Sequence, residues 1–195
     1  MEINPFVIFI ASIFTGNVLL TNFLGMCSYL SISKDLKSSF GLGQAVIFVM
    51  TATTVLNYLV YKYILVPFDL EYLRFIVFII VIAAFVQFVE MLLERFMPNL
   101  YYTLGIFLPL ITVNCAILGV ALFMVIREYN FLQSLAYGAG GGIGWTLAIS
   151  ALAAIRQKVD ESRVPKGLQG AGFAMIVTGI MALAFIGFSG MLPIQ

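Results

Sequence analysis

Two cysteines, Cys27 and Cys115, are the residues of this chain best suited to carry chemistry. They sit in Gly25-Met26-Cys27 and Asn114-Cys115-Ala116, each inside a long uncharged stretch, and the sequence contains no histidine. Few other side chains here can hold a metal or redox centre. The missing histidine excludes a haem with histidine ligands and a Ser-His-Asp hydrolase. Iron–sulfur clusters normally take four cysteine ligands, so a chain with two would need two more from a neighbouring subunit. Two small apolar core residues are the plain alternative, because free cysteine is often buried and inert. A disulfide is permitted in an oxidising compartment, but the apolar setting of both thiols argues against one.

Other polar residues offer less. Glu90, with Gln87 one turn before it, is the carboxylate that looks most embedded, and ionisable groups inside spans are costly. It precedes Glu94 and Arg95 closely, so a helix-end carboxylate paired with Arg95 is the expected role. The run Gly138-Ala139-Gly140-Gly141-Gly142-Ile143-Gly144 superficially suggests a phosphate loop, but that fingerprint needs a preceding strand in an α/β unit. Close packing of helices through small residues is the expected use, with the glycine clusters opening the second and fifth spans and Gly167, Gly170 and Gly172 doing the same at the sixth. The nine methionines are scattered, as packing residues are.

The elements that must position the cysteines are membrane helices. The chain is 62% hydrophobic and 10% charged, with a mean hydropathy of +1.08, far from the composition of a water-soluble domain. Crossing a ~30 Å hydrocarbon core takes about 20 apolar residues. Uncharged runs predict six spans, roughly 5–30, 39–62, 70–94, 101–126, 131–155 and 169–192. The start Met1-Glu2-Ile3-Asn4 lacks the positive charge of a cleaved signal peptide, so the first helix is expected to be retained. With six spans both termini share one side with Lys62, Arg74 and Arg127. Lys34, Lys37, Arg95, Arg156, Lys158, Arg163 and Lys166 lie on the other, which the positive-inside rule makes cytoplasmic. Both termini are then expected outside.

A faint internal repeat appears at an offset of 97 residues. Thr15-Gly16-Asn17 falls on Thr112-Val113-Asn114, and Phe40-Gly41-Leu42-Gly43 on Tyr137-Gly138-Ala139-Gly140. This divides the chain into residues 1–97 and 98–195, three spans each. An odd number of spans forces the second half to run the opposite way, and inverted repeats place sites near the midplane on interrupted helices. Interruption is expected around Gly16–Gly25 in the first span and around Pro109–Cys115 in the fourth, Pro109 by removing a backbone donor. Depth requires it if both cysteines serve one site. At ~1.5 Å per residue, unbroken helices would carry Cys27 about 33 Å inward from one face and Cys115 about 21 Å from the other. Without a shared site, an inverted-repeat transporter with its site between Asn17 and Asn114, or a purely structural scaffold, are the rival readings.

The cysteine segments also carry a resemblance. Asn22-Phe23-Leu24-Gly25-Met26-Cys27, the run from Leu104 to Ala116 and the tail Ala184-Phe185-Ile186-Gly187-Phe188-Ser189-Gly190 resemble a family of membrane proteins that includes RnfA of the Rnf electron transport complex and NqrE of the sodium-translocating NADH:quinone oxidoreductase. Ile64-Leu65-Val66-Pro67, Tyr72-Leu73-Arg74 and Asn130-Phe131-Leu132-Gln133-Ser134 lean toward the Rnf member. The resemblance covers essentially the whole chain. It implies an all-α membrane protein of six transmembrane helices in two inverted three-helix repeats, in a prokaryotic inner membrane. It implies a homologous sister protein, RnfE, of opposite orientation, beside the other Rnf subunits and with no nucleic acid. It also implies one intramembrane [2Fe–2S] cluster, shared with the sister, with Cys27 and Cys115 as this chain's ligands. Such complexes couple electron transfer from ferredoxin to NAD, or from NADH to quinone, to Na⁺ or H⁺ translocation.

Overall fold

The computed structural model describes residues 4–96, 108–159, 165, 167 and 169–188. Every regular element among the described residues is helical. The first apolar run folds as three helices in series, α1 (Pro5–Ile13), α2 (Val18–Asn22) and α3 (Met26–Ile32). The long helix α4 (Leu36–Val60) widens into a π-turn at Tyr61–Leu65, and a 3₁₀ turn at Glu71–Leu73 leads into α5 (Arg74–Phe96). The fourth run is α6 (Leu108–Thr112) and α7 (Cys115–Ile126), the fifth α8 (Phe131–Lys158), the last α9 (Ala171–Ile186). The expected positions 101–107 and 189–192 lie outside the described residues.

By length and composition, Leu36–Leu65, Glu71–Leu92, Pro109–Ile126 and Phe131–Lys158 can each cross a bilayer, while α9 is apolar but shorter. The chain is a multi-pass membrane protein. Contacts between helices fix its directions. Arg156, buried in the last turn of α8, donates from Nη1 to Ser33 Oγ at the end of α3 (3.0 Å). At the other end of α8 the Phe131 ring packs on Tyr58 of α4, with centroids 5.7 Å apart. Helix α3 therefore ends, and α4 begins, beside the C-terminus of α8, and α4 returns to its N-terminus. Tyr61 against Phe78 and Phe48 against Phe85 place α5 antiparallel to α4. The 62–74 and 127–128 connections meet, as expected, and line one polar cavity of about 560 Å³ with Tyr58, Tyr61, Lys62, Glu71, Arg74, Glu128 and Tyr129.

Helix α8 is the central post, and its glycines explain why. A Cβ on Gly142 would lie 2.8 Å from the Ile47 Cα of α4, and one on Gly144 would lie 3.0 Å from the Ser12 and Ile13 carbonyls of the first run. Gly140 faces Ser12, and Gly43 of α4 faces Thr146, whose hydroxyl donates to the Gly43 carbonyl (3.0 Å). Small residues let backbones approach and dispersion contacts accumulate where lipid offers no hydrophobic drive. Packing was the expected use, but the position differs. The run lies in the middle of α8, whose start at Phe131 is set by a capping box between Asn130 and Gln133. Gly167 and Gly170 depart from the expectation: nothing lies within 4 Å of a Cβ on either, and Gly170 serves the positive φ of 79° before α9.

Glu90 is half-buried in α5, with Glu94 and Arg95 exposed beyond it. Five residues of α-helix turn Arg95 well away from Glu90, since facing pairs are three or four apart. The expected Glu90–Arg95 pair is not formed among the described residues.

Candidate metal centre

Three departures from regular helix build the region around the cysteines. At the first, α1 stops at Ile13, and the Gly16 N–H reaches back to the Ala11 carbonyl (2.7 Å). Asn17 restarts the chain as the N-cap of α2. Its Oδ1 accepts from the Leu19 and Leu20 amides (3.1 and 3.3 Å), and its Nδ2 donates to the Ile13 and Gly144 carbonyls (3.2 and 2.8 Å). A broken helix leaves orphan amides and carbonyls that lipid cannot satisfy. One buried amide side chain satisfies both kinds here.

The second departure follows five residues later. Phe23 takes the left-handed conformation (φ 53°), Gly25 does the same (φ 82°), and α3 begins at Met26. Glycine is required at 25 for a second reason. A Cβ there would lie 2.6 Å from Trp145 Nε1, 3.0 Å from Asn114 Oδ1 and 3.1 Å from Ala116 Cβ. Between the two, Leu24 reaches over to Gly119, seating the turn on α7.

The third departure lies in the fourth run. Helix α6 ends at Thr112, and Asn114 caps α7, its Oδ1 accepting from the Ala116 amide (3.0 Å). Pro109 lies in α6, and the residues before it, on which its expected part in the interruption bears, lie outside the described residues. The side chain that ends one hydrogen-bond ladder and opens the next is Asn114.

Two hydrogen bonds then tie the second and third departures together. The Gly25 N–H donates to Cys115 Sγ at 2.9 Å. Asn114 Nδ2 donates to Ser28 Oγ at 3.3 Å. The residue before Cys115 thus holds the residue after Cys27. Gly25 and Cys27 are two residues apart, so Cys115 Sγ lies within about 12 Å of the Cys27 Cα even along an extended chain. Depth agrees. Cys115 is eleven residues from Ile126 (about 17 Å) and Cys27 six from Ser33 (about 9 Å), toward opposite ends of α8. From Phe131 to Arg156 α8 is about 38 Å long, so the two thiols come to interior levels about 12 Å apart, within the same bound.

Both cysteines are free and exposed on the chain's surface. This disagrees with the alternative of two small core residues. Apolar sequence around them marks depth in the bilayer, not burial within the subunit. Phe23 (52% exposed) and Val113 (73% exposed) share the surface near them, as do the exposed Thr21 and Asn22. No group of three or more Cys, Asp or Glu with metal-binding proximity occurs among the described residues. The transporter alternative weakens, because both groups of each asparagine amide are engaged in hydrogen bonds within the fold.

Sequence reasoning missed Phe23, whose left-handed backbone no aromatic residue signals, and Trp145, which looked like one more apolar residue of a span. A match to known proteins bears on the whole chain. The model of a family described as "Rnf-Nqr subunit, membrane protein" matches residues 5–192.

Proposed function

The chain belongs to the Rnf-Nqr family of membrane subunits, and from that premise we propose that it is an electron-transfer subunit of an Rnf-type, ferredoxin:NAD⁺ oxidoreductase in a prokaryotic inner membrane. In this reading Cys27 and Cys115 hold half of an intramembrane [2Fe–2S] cluster, and the homologous sister protein, RnfE, supplies the other two ligands. The family is that of ion-translocating oxidoreductase complexes, so the protein is a membrane subunit of such a complex.

The observation that carries the reading is the Gly25–Cys115 hydrogen bond. It puts Cys115 Sγ within about 12 Å of the Cys27 Cα, although the two thiols, both exposed, are 88 positions apart in sequence (115 − 27). The residues fit the group. Thiolates are its usual ligands, an amide donor already points at one sulfur, and a buried indole N–H nearby has no partner. A face carrying Thr21, Asn22 and two thiols at membrane depth is costly against lipid, which supports cover by another protein chain.

When bound, the cluster would accept and pass on single electrons. The chain's own residues would do the rest. Cys27 and Cys115 bind iron as thiolates, whose negative charge the metal offsets in a low-dielectric site. Gly25 directs its amide at Cys115, and hydrogen bonds to sulfur stabilise negative charge there. Leu24 on Gly119 and the Trp145 ring exclude water behind the thiols. The matched tasks of Asn17 and Asn114 support six spans in two inverted repeats, and the seven-to-three division of positive charge supports cytoplasmic placement of Lys34, Lys37 and the 156–166 connection.

Replacing Cys27 or Cys115 by Ala in the complex tests the assignment. Loss of the cluster's paramagnetic signal and of electron transfer, with the flavins of other subunits retained, is expected. Wild-type turnover in either variant, or a stoichiometric cluster in this chain purified alone, contradicts it.

A further inference from the structure

The single tryptophan of the chain, Trp145, is wholly buried in α8, and its indole Nε1 has no hydrogen-bond partner. An unpaired buried donor is costly, and buried indoles usually find an acceptor. The position of this one is specific. Nε1 lies 2.6 Å from the place a Cβ on Gly25 would take, and the Gly25 N–H donates to Cys115 Sγ at 2.9 Å. Adding the two bonds through Gly25, about 3 Å, puts the indole nitrogen within roughly 9 Å of that sulfur. Asn114 Oδ1, 3.0 Å from the same place, accepts from the Ala116 amide and not from the indole.

We infer that Trp145 is a positioning residue of the two-cysteine site, and that its indole N–H donates to a sulfur of the metal centre held there. The inference rests on the cluster reading above. The orphaned donor is then satisfied only when the site is filled. Donation to sulfur favours the more negatively charged, reduced state, so Trp145 raises the reduction potential of the centre. Phenylalanine would keep most of the ring volume and remove the donor.

Redox titration of the cluster signal in the purified complex, with iron content measured in the same samples, tests this with Trp145→Phe. Retained iron and a midpoint potential shifted lower is the expected result. Retained iron with an unchanged potential overturns the role of Trp145 and leaves the cluster assignment standing. A cluster signal that survives both Cys27→Ala and Cys115→Ala overturns the two together. If Trp145→Phe does not assemble, the unaltered chain supplies the second measurement. Its lone tryptophan can be excited selectively while cadmium is added to the purified full chain. Cadmium bound by the thiols, seen as a thiolate-to-metal absorption band, is expected to shift the indole emission, and the shift should vanish in Cys115→Ala. Binding with no change in emission overturns the inference.

Discussion

The break before α2 and the break before α7 use the same side chain in the same way, yet only the second lies beside the thiols. Asn17 and Asn114 each open a new helix by accepting backbone amides, and each donates to a distant partner. Asn17 donates to the Gly144 carbonyl and ties the first run to the central post. Asn114 donates to Ser28 and ties the fourth run to α3. At the offset of 97, Cys115 corresponds to Val18, which is wholly buried, and Cys27 to Met124. The cysteines are therefore not equivalent positions of a repeat. What ties their two segments together is the extra turn at Phe23–Gly25, whose Gly25 N–H meets Cys115 Sγ and which has no counterpart between Cys115 and Ile126. A shared capping device makes the scaffold, and one unshared turn makes the site.

That contrast can be broken first at the two glycines. Ala at Gly25 would meet a left-handed φ and Trp145 Nε1 at 2.6 Å, so Gly25→Ala is expected to cost about 2 kcal/mol or more and to strip metal from the complex. Gly16→Ala meets the Ala11 carbonyl at 3.5 Å and the Ser12 Cα at 3.9 Å, both ordinary contacts, and should stay within about 0.5 kcal/mol of the wild type. Thermal unfolding in one detergent reads both, and equal losses would erase the distinction between the breaks.

The asparagines sharpen it next. Asn17→Ala leaves the Ile13 and Gly144 carbonyls and two amides buried without their partner, an expected loss of about 2–3 kcal/mol with iron per folded complex unchanged. Asn114→Ala removes one cap and the Ser28 bond, about 1–2 kcal/mol, but is expected to lower iron content. Iron assay on the folded fraction separates them, and a reversed order would contradict the account.

The smallest effect lies far from both breaks. Asp35 caps α4, and hydrogen bonds from the Ser38 hydroxyl (2.7 Å) and amide (3.0 Å) hold its carboxyl below the usual carboxylate range. A depressed folded-state pKa gives stability that is full above the unfolded value of about 4 and is lost as pH falls through the folded value. Asp35→Asn should therefore lower the melting temperature slightly at neutral pH and have a shrinking effect under acid conditions. A difference that grows on acidification would be the wrong sign.

Much of this architecture is legible in the residues. Long uncharged runs mark the spans, and Asn17 and Asn114 mark two breaks because a polar amide at membrane depth needs backbone groups to satisfy. The glycine run announces close packing but not its place, which Asn130 and Gln133 settle by capping α8 seven residues earlier. Phe23 is illegible, because a positive φ runs against the local preference of an aromatic residue. Exposure of the thiols is illegible too. Hydropathy cannot separate a surface that faces lipid or a partner chain from a core.

The central claim is that irregular backbone carries Cys27 and Cys115 to one place, and the chain holds no other cysteine to confuse the test. Spin labels on both native thiols of the purified protein, read by continuous-wave paramagnetic resonance, measure it directly. Strong dipolar broadening that disappears when either site is labelled alone is the expected result. A doubly labelled spectrum equal to the sum of the two single ones would place the thiols apart and contradict the shared site.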